Sequence, residues 1–222
     1  MGWFGRSGAK GAGARGEGVA EDARGAAGAG GGAGPWLVVG LGNPGAKYGR
    51  TWHNAGFMAL EVLSQRHGIR VDRIKFKGVY GQGTVADAKC VLLKPGTYMN
   101  LSGESVQEAM AFFKVPPARV VVLVDDVDLP RGQIRIRPAG GPGTQKGMRS
   151  VVERLGTEGF PRVRIGIGPV PERWDIADFV LSEIPPADQA TMYEAVSRAA
   201  DAVASIVADG PEAAMNRFNG KP

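Results

Sequence analysis

Residues 120–128 read VVVLVDDVD, and this stretch decides the fold class. Five consecutive apolar residues, four of them valine, suit a central strand, because β-branched side chains pack well on a pleated surface covered on both faces. The aspartates that follow end the apolar run. Carboxylates at the C-terminal end of such a strand stand where open α/β sheets place their ligands. Working outward, Trp36-Leu37-Val38-Val39 is a second short apolar run, stopped by Gly40, and predicts another buried strand. Phe57, Met58, Leu60, Val62 and Leu63 make a helical face between Asn54, a natural N-cap, and Gly68, a natural stop.

Three strand-like stretches follow at 74–77, 80–86 and 90–94, then a helical pattern from Ser102 to Lys114 that ends at Pro116-Pro117. Residues 133–137 and 162–168 alternate arginine with β-branched residues, which on strands puts Arg135 with Arg137, and Arg162 with Arg164, on one face each. A short helix is expected from Met148 to Leu155, and a long amphipathic one through Met192, Val196, Ala199, Val203 and Val207. Strands alternating with helices predict one α/β domain over residues 35–222, a twisted mixed β-sheet with helices on both faces.

Residues 1–34 differ in kind. They hold 13 of the 35 glycines of this 222-residue chain and 9 alanines, with no apolar run able to offset the entropy of ordering, so a disordered tail is expected. Arg6 stands where an N-myristoylation signal wants Ser or Thr, and no apolar segment marks a secretory signal. Arg6, Lys10, Arg15 and Arg24 against Glu17, Glu21 and Asp22 fit an organelle transit peptide in part. One cysteine, Cys90, excludes a disulfide scaffold, and two histidines exclude a zinc cluster. No apolar stretch approaches the roughly 20 residues that span a bilayer, so no membrane partner is expected.

The net charge of +5 is concentrated. Between Arg131 and Arg164 lie eight basic residues against Glu153 and Glu158, a segment of +6, so the rest sums to −1. A basic zone of this kind suits a polyanion, nucleic acid first, or else a solvated surface. Gly40-Leu41-Gly42-Asn43-Pro44-Gly45 matches a dinucleotide fingerprint, but the helix that should open at its last glycine begins only near Asn54. The glycines then serve to turn the chain and hold Asn43 at the strand end.

His53 precedes that helix. A helix N-terminus disfavours imidazolium and keeps the ring available as a base. His67, in the last turn, is explained by structure, since a positive charge is favourable there. For Asp125, Asp126 and Asp128 two readings stand: a magnesium site, or a carboxylate partner that fixes the tautomer of His53. In the second case the nucleophile is water, because no Ser or Cys stands in a nucleophile-elbow context.

The stretches 36–57 (WLVVGLGNPGAKYGRTWHNAGF), 94–103 (KPGTYMNLSG), 125–132 (DDVDLPRG) and 162–168 (RVRIGIG), with the closing Asn216-Arg217-Phe218-Asn219, resemble the bacterial-type peptidyl-tRNA hydrolases. The opening at Pro35 and the Arg-Phe-Asn ending are most similar to the plant and algal organelle branch, which includes chloroplast proteins that act in group II intron splicing. The resemblance implies a monomer that cleaves the ester between peptide and tRNA without metal or cofactor. It implies His53 as the base, Asp125 as its support, and Asn43 as the group that orients the histidine and discriminates N-blocked substrates. It further implies that Tyr48, Tyr98 and Asn100 contact the tRNA end and peptide, and that Met99 lines the groove. Arg135, Arg137, Arg162 and Arg164 are the expected phosphate contacts.

Two positions depart from the family pattern. Trp52 stands where Arg usually precedes the histidine, and Thr144-Gln145-Lys146-Gly147 replaces the usual Gly-His-Asn-Gly. A lysine has three donors and no acceptor, so Lys146 cannot repeat the amide's bonding, although it can bind ribose or phosphate. Two functions follow: a peptidyl-tRNA hydrolase, or a hydrolase-like RNA-binding protein with a splicing partner. The expected compartment is a chloroplast or other organelle, otherwise the cytoplasm.

Overall fold

The computed structural model describes residues 34–220, so the tail and transit expectations fall, but for Gly34, outside the described residues. The valine run opens β5 (Val120–Pro130), which lies between β1 (Trp36–Gly40) and β7 (Arg162–Gly168) and parallel to both. Beyond β1 come β4 (Ala88–Pro95), parallel to it, then the antiparallel β3 (Gly78–Val85) and β2 (Arg73–Lys75). Beyond β7 an antiparallel β6 (Ile134–Arg137) closes the other edge, giving a seven-stranded mixed sheet ordered β2-β3-β4-β1-β5-β7-β6.

Alternation along β5 builds two cores. Val121 and Leu123 pack with α1 (Ala55–Arg66) and α5 (Pro186–Asp209), while Val120, Val122 and Val124 pack with α2 (Ser102–Phe113) and α3 (Lys146–Leu155). Helices therefore cover both faces, as the periodicity predicts. Shorter helices α4 (Ile176–Leu181) and α6 (Pro211–Phe218) complete the chain. Among the described residues no helix is long and apolar enough to cross a membrane.

The first glycine of the fingerprint has a packing role. A Cβ on Gly40 would come 2.5 Å from the carbonyl oxygen of Gly56, and one on Gly56 would come 2.4 Å from that of Leu123. Only a glycine pair lets the first turn of α1 rest on the ends of β1 and β5, and that contact carries His53 toward Asp125.

Three boundaries differ from expectation. The first two hairpins turn at Phe76-Lys77 and Ala86-Asp87, all with positive φ, where the usual signal is Asn-Gly. Phe76 is tolerated there because its ring is buried against Tyr80, Phe112 and Phe113. Strand β5 runs on past Val124 to Pro130, with a register shift against β7 between Asp126 and Pro130. At the far edge, Asn219 pairs with Ile136 like a strand residue: its Oδ1 accepts from the Ile136 N–H at 2.7 Å and its Nδ2 donates to the carbonyl at 3.1 Å.

Candidate active site

At the carboxyl ends of β1 and β5 the surface opens into a cleft of about 670 Å³. The chain reaches it from five directions. Asn43 follows β1, His53 sits in a 3₁₀ turn (Trp52–Asn54) that leads into α1, and Asp125 follows the valine run on β5. Gln145 and Lys146 come from the start of α3, and Tyr98, Met99 and Asn100 from the turn after β4. Tyr48 and Arg164 also line the cleft.

His53 Nδ1 lies 2.8 Å from Asp125 Oδ2, both side chains nearly buried. A carboxylate accepts, so Nδ1 carries the proton and Nε2 is left with a lone pair. The other oxygen, Asp125 Oδ1, accepts from Gln145 Nε2 at 2.9 Å. Gln145 Oε1 accepts from the Met148 N–H at 2.7 Å and so caps α3.

Asn43 is held by three bonds. Its backbone N–H donates to Asn54 Oδ1 at 2.8 Å, its carbonyl accepts from Asn54 Nδ2 at 3.1 Å, and its own Oδ1 accepts from the Met99 N–H at 2.9 Å. That last bond fixes the amide orientation, so Asn43 offers the cleft its NH₂ hydrogens. Asn54 was expected to cap α1 and makes no side-chain cap bond. Its amide is spent on Asn43 instead. Among the described residues no hydrogen bond joins Asn43 to His53; the histidine's orienting bond comes from Asp125.

The neighbouring aspartate does different work. Asp126 Oδ2 pairs with Arg164 Nε at 2.8 Å and its Oδ1 accepts from the Asp128 N–H at 3.0 Å. Burial pushes the Asp126 carboxyl above its ordinary value, with Arg164 opposing the shift.

The arginines separate into two groups. The register of β6 and β7 sets Arg135 opposite Arg164 and Arg137 opposite Arg162, so all four backbone positions share one face. Arg135 and Arg137 are exposed, and Arg164 is partly so at the cleft wall. Arg162 is 2% exposed. Its guanidinium donates to the carbonyls of Gly140, Glu158 and Phe160 and lies 4.4 Å from the Phe160 ring. Burial pushes it down to about 10, far enough above neutral pH to keep the cation. The expectation that Arg162 meets phosphate therefore gives way: it ties the glycine loop to β7.

Trp52 is likewise a core residue. It is 1% exposed, stacks on Phe179 at 5.4 Å and lies 4.7 Å beneath the Arg131 guanidinium, which pairs with Asp188 at 2.8 Å. Gln145, quoted from the sequence only as part of the loop that departs from the family pattern, is a site residue, and Asn54, expected as a cap, serves Asn43 instead. The available signal was an amide residue directly before each helix, which serves a cap and a site equally well.

The family pattern described as Peptidyl-tRNA hydrolase matches residues 37–222. A peptidyl-tRNA hydrolase of Alkaliphilus oremlandii is 47% identical over 83% of this chain and 99% of its own length. One from Chloroflexus aggregans is 48% identical over 83% and 98%. The crystal structure of peptidyl-tRNA hydrolase from Acinetobacter baumannii superposes with a TM-score of 0.78 at 36% identity, covering 86% of this chain and 98% of that one.

Proposed function

The chain belongs to the peptidyl-tRNA hydrolase family, and from that premise we propose that His53, supported by Asp125, activates the water that cleaves its substrate. The protein hydrolyses peptidyl-tRNA, releasing tRNA from the peptide. The observation that carries the residue assignment is the 2.8 Å bond from His53 Nδ1 to Asp125 at the floor of the cleft. Nε2 takes a proton from water as the oxygen attacks the ester carbonyl carbon. The tetrahedral centre collapses, the bond to the ribose oxygen breaks, and imidazolium returns its proton to that oxygen. Asp125 favours the needed tautomer and the transient cation. Asn43, donor end toward the cleft, suits the developing oxyanion and the blocked amino end of the peptide.

Tyr48, Tyr98 and Asn100 are proposed to contact the tRNA end and peptide, with Met99 as groove wall. Arg135, Arg137 and Arg164 follow the phosphates, and Lys146 meets ribose or phosphate. Turnover of an N-blocked aminoacyl-tRNA, with free aminoacyl-tRNA left intact, is the expected result. Tight tRNA binding with no ester cleavage would instead favour the splicing-cofactor reading. A plastid address for residues 1–34 is a separate proposal. It is tested by fusing them to a fluorescent reporter in plant or algal cells, where a cytosolic signal would refute it.

A further inference from the structure

The hydrogen bonds around the cleft form a closed circuit. His53 meets Asp125, Asp125 meets Gln145, and the Gln145 amide nitrogen lies 3.3 Å from Met99 Sδ. The Met99 N–H bonds Asn43, Asn43 bonds Asn54, and Asn54 is the chain neighbour of His53. Among the described residues, Gln145 is the side chain whose hydrogen bonds join this circuit to α3. Its amide has no freedom to flip: Oε1 must face the Met148 N–H, which can only donate, so Nε2 must face Asp125, which accepts.

We propose that Gln145 is a positioning residue for the hydrolytic pair, one amide that caps α3 and locks the Asp125 carboxylate against rotation. The inference rests on the reading of His53 and Asp125 as that pair. Asp125 is 3% exposed, so water cannot readily replace a lost donor at Oδ1. Without Gln145 the carboxylate rotates, the bond to Nδ1 loses its alignment, and Nε2 is no longer held toward the attacking water.

The charged and titratable groups that share the cleft are Asp126 on β5, Arg164 on β7, Lys146 on α3, Asp175 at the start of α4, and Tyr48 and Tyr98 on the loops.

The variant that separates capping from positioning is Gln145→Ser. Serine is a good N-cap but too short to reach Asp125. Measured on an N-blocked aminoacyl-tRNA, Gln145→Ser should keep the wild-type melting temperature and KM while kcat falls about tenfold. In an Asp125→Ala background the same substitution should have no further effect, because the residue acts through that carboxylate. Wild-type kcat in Gln145→Ser would overturn the proposal, as would an equal loss in the Asp125→Ala background. If Asp125→Ala alone turns over like wild type, the hydrolytic-pair reading fails first and takes this one with it. Should Gln145→Ser melt early, Gln145→Asn, also a good cap and too short to reach, gives the same readout.

Discussion

Asn54 holds Asn43 through a reciprocal amide–backbone pair, Oδ1 receiving the Asn43 N–H at 2.8 Å and Nδ2 donating to its carbonyl at 3.1 Å. Both residues are buried, so removing the side chain leaves two backbone groups without partners. Asn54→Ala should destabilise the protein by about 2 kcal/mol. It should also lower kcat, because Asn43 no longer presents its NH₂ group at a fixed point. Thermal melts and steady-state turnover check the two effects; wild-type kcat in this variant would show that Asn43 is held by Met99 alone.

The arginines should divide by role. Arg135→Ala and Arg137→Ala should weaken tRNA binding, each flattening the slope of log K against log salt by roughly 0.7 to 0.9. Arg162→Ala should instead cost about 3 kcal/mol of stability, because the carbonyls of Gly140, Glu158 and Phe160 lose their donors. Salt titrations of tRNA binding paired with urea melts separate these outcomes. A stable Arg162→Ala with a flattened slope would return that residue to the phosphate contacts.

Lys146 places a cation at the positive end of α3, where the helix dipole opposes it. Lys146→Asn should therefore leave stability unchanged or slightly higher. If the lysine stands in for a substrate contact, turnover rises about tenfold, less than the loss typical of a whole oxyanion donor. Weaker tRNA affinity at unchanged turnover would make it a phosphate contact.

Cys90 supplies a pH test of the core. It is 1% exposed, and burial pushes its thiol up to about 11 from 9.0. The folded state thus holds the proton more tightly than the unfolded chain. The resulting stability is whole below about 9 and is lost as pH rises through about 11. Native protein at pH 8 should ignore a thiol-disulfide reagent and react only in urea. Cys90→Ala should remove this part of the alkaline loss. Rapid labelling of the native state would contradict the burial.

Much of this architecture was legible in the residues. The valine run, the glycine stop after Trp36–Val39 and the helical spacing from Phe57 each report on burial, which is local and periodic. So His53 at a helix start and Asp125 at a strand end could be paired before any coordinates. What stayed hidden depends on partners distant in sequence. Arg162 alternates with Val163 just as Arg164 does with Ile165, and only the return of the glycine loop buries it. Asn54 reads as a cap, because an amide before a helix is consistent with either use, and Gln145 lies ahead of the helix expected from Met148. The Phe76-Lys77 turn carries no turn residue, and its strain is balanced by an aromatic cluster that the sequence does not announce.

The central claim is that His53, held by Asp125, is the base. The most direct measurement is single-turnover cleavage of an N-blocked aminoacyl-tRNA by His53→Ala, beside its tRNA affinity and melting temperature. The account predicts a rate loss of about 100- to 10,000-fold, the usual worth of a general base, with affinity and stability close to wild type. Cleavage at near wild-type rate by folded, tRNA-binding His53→Ala would contradict it.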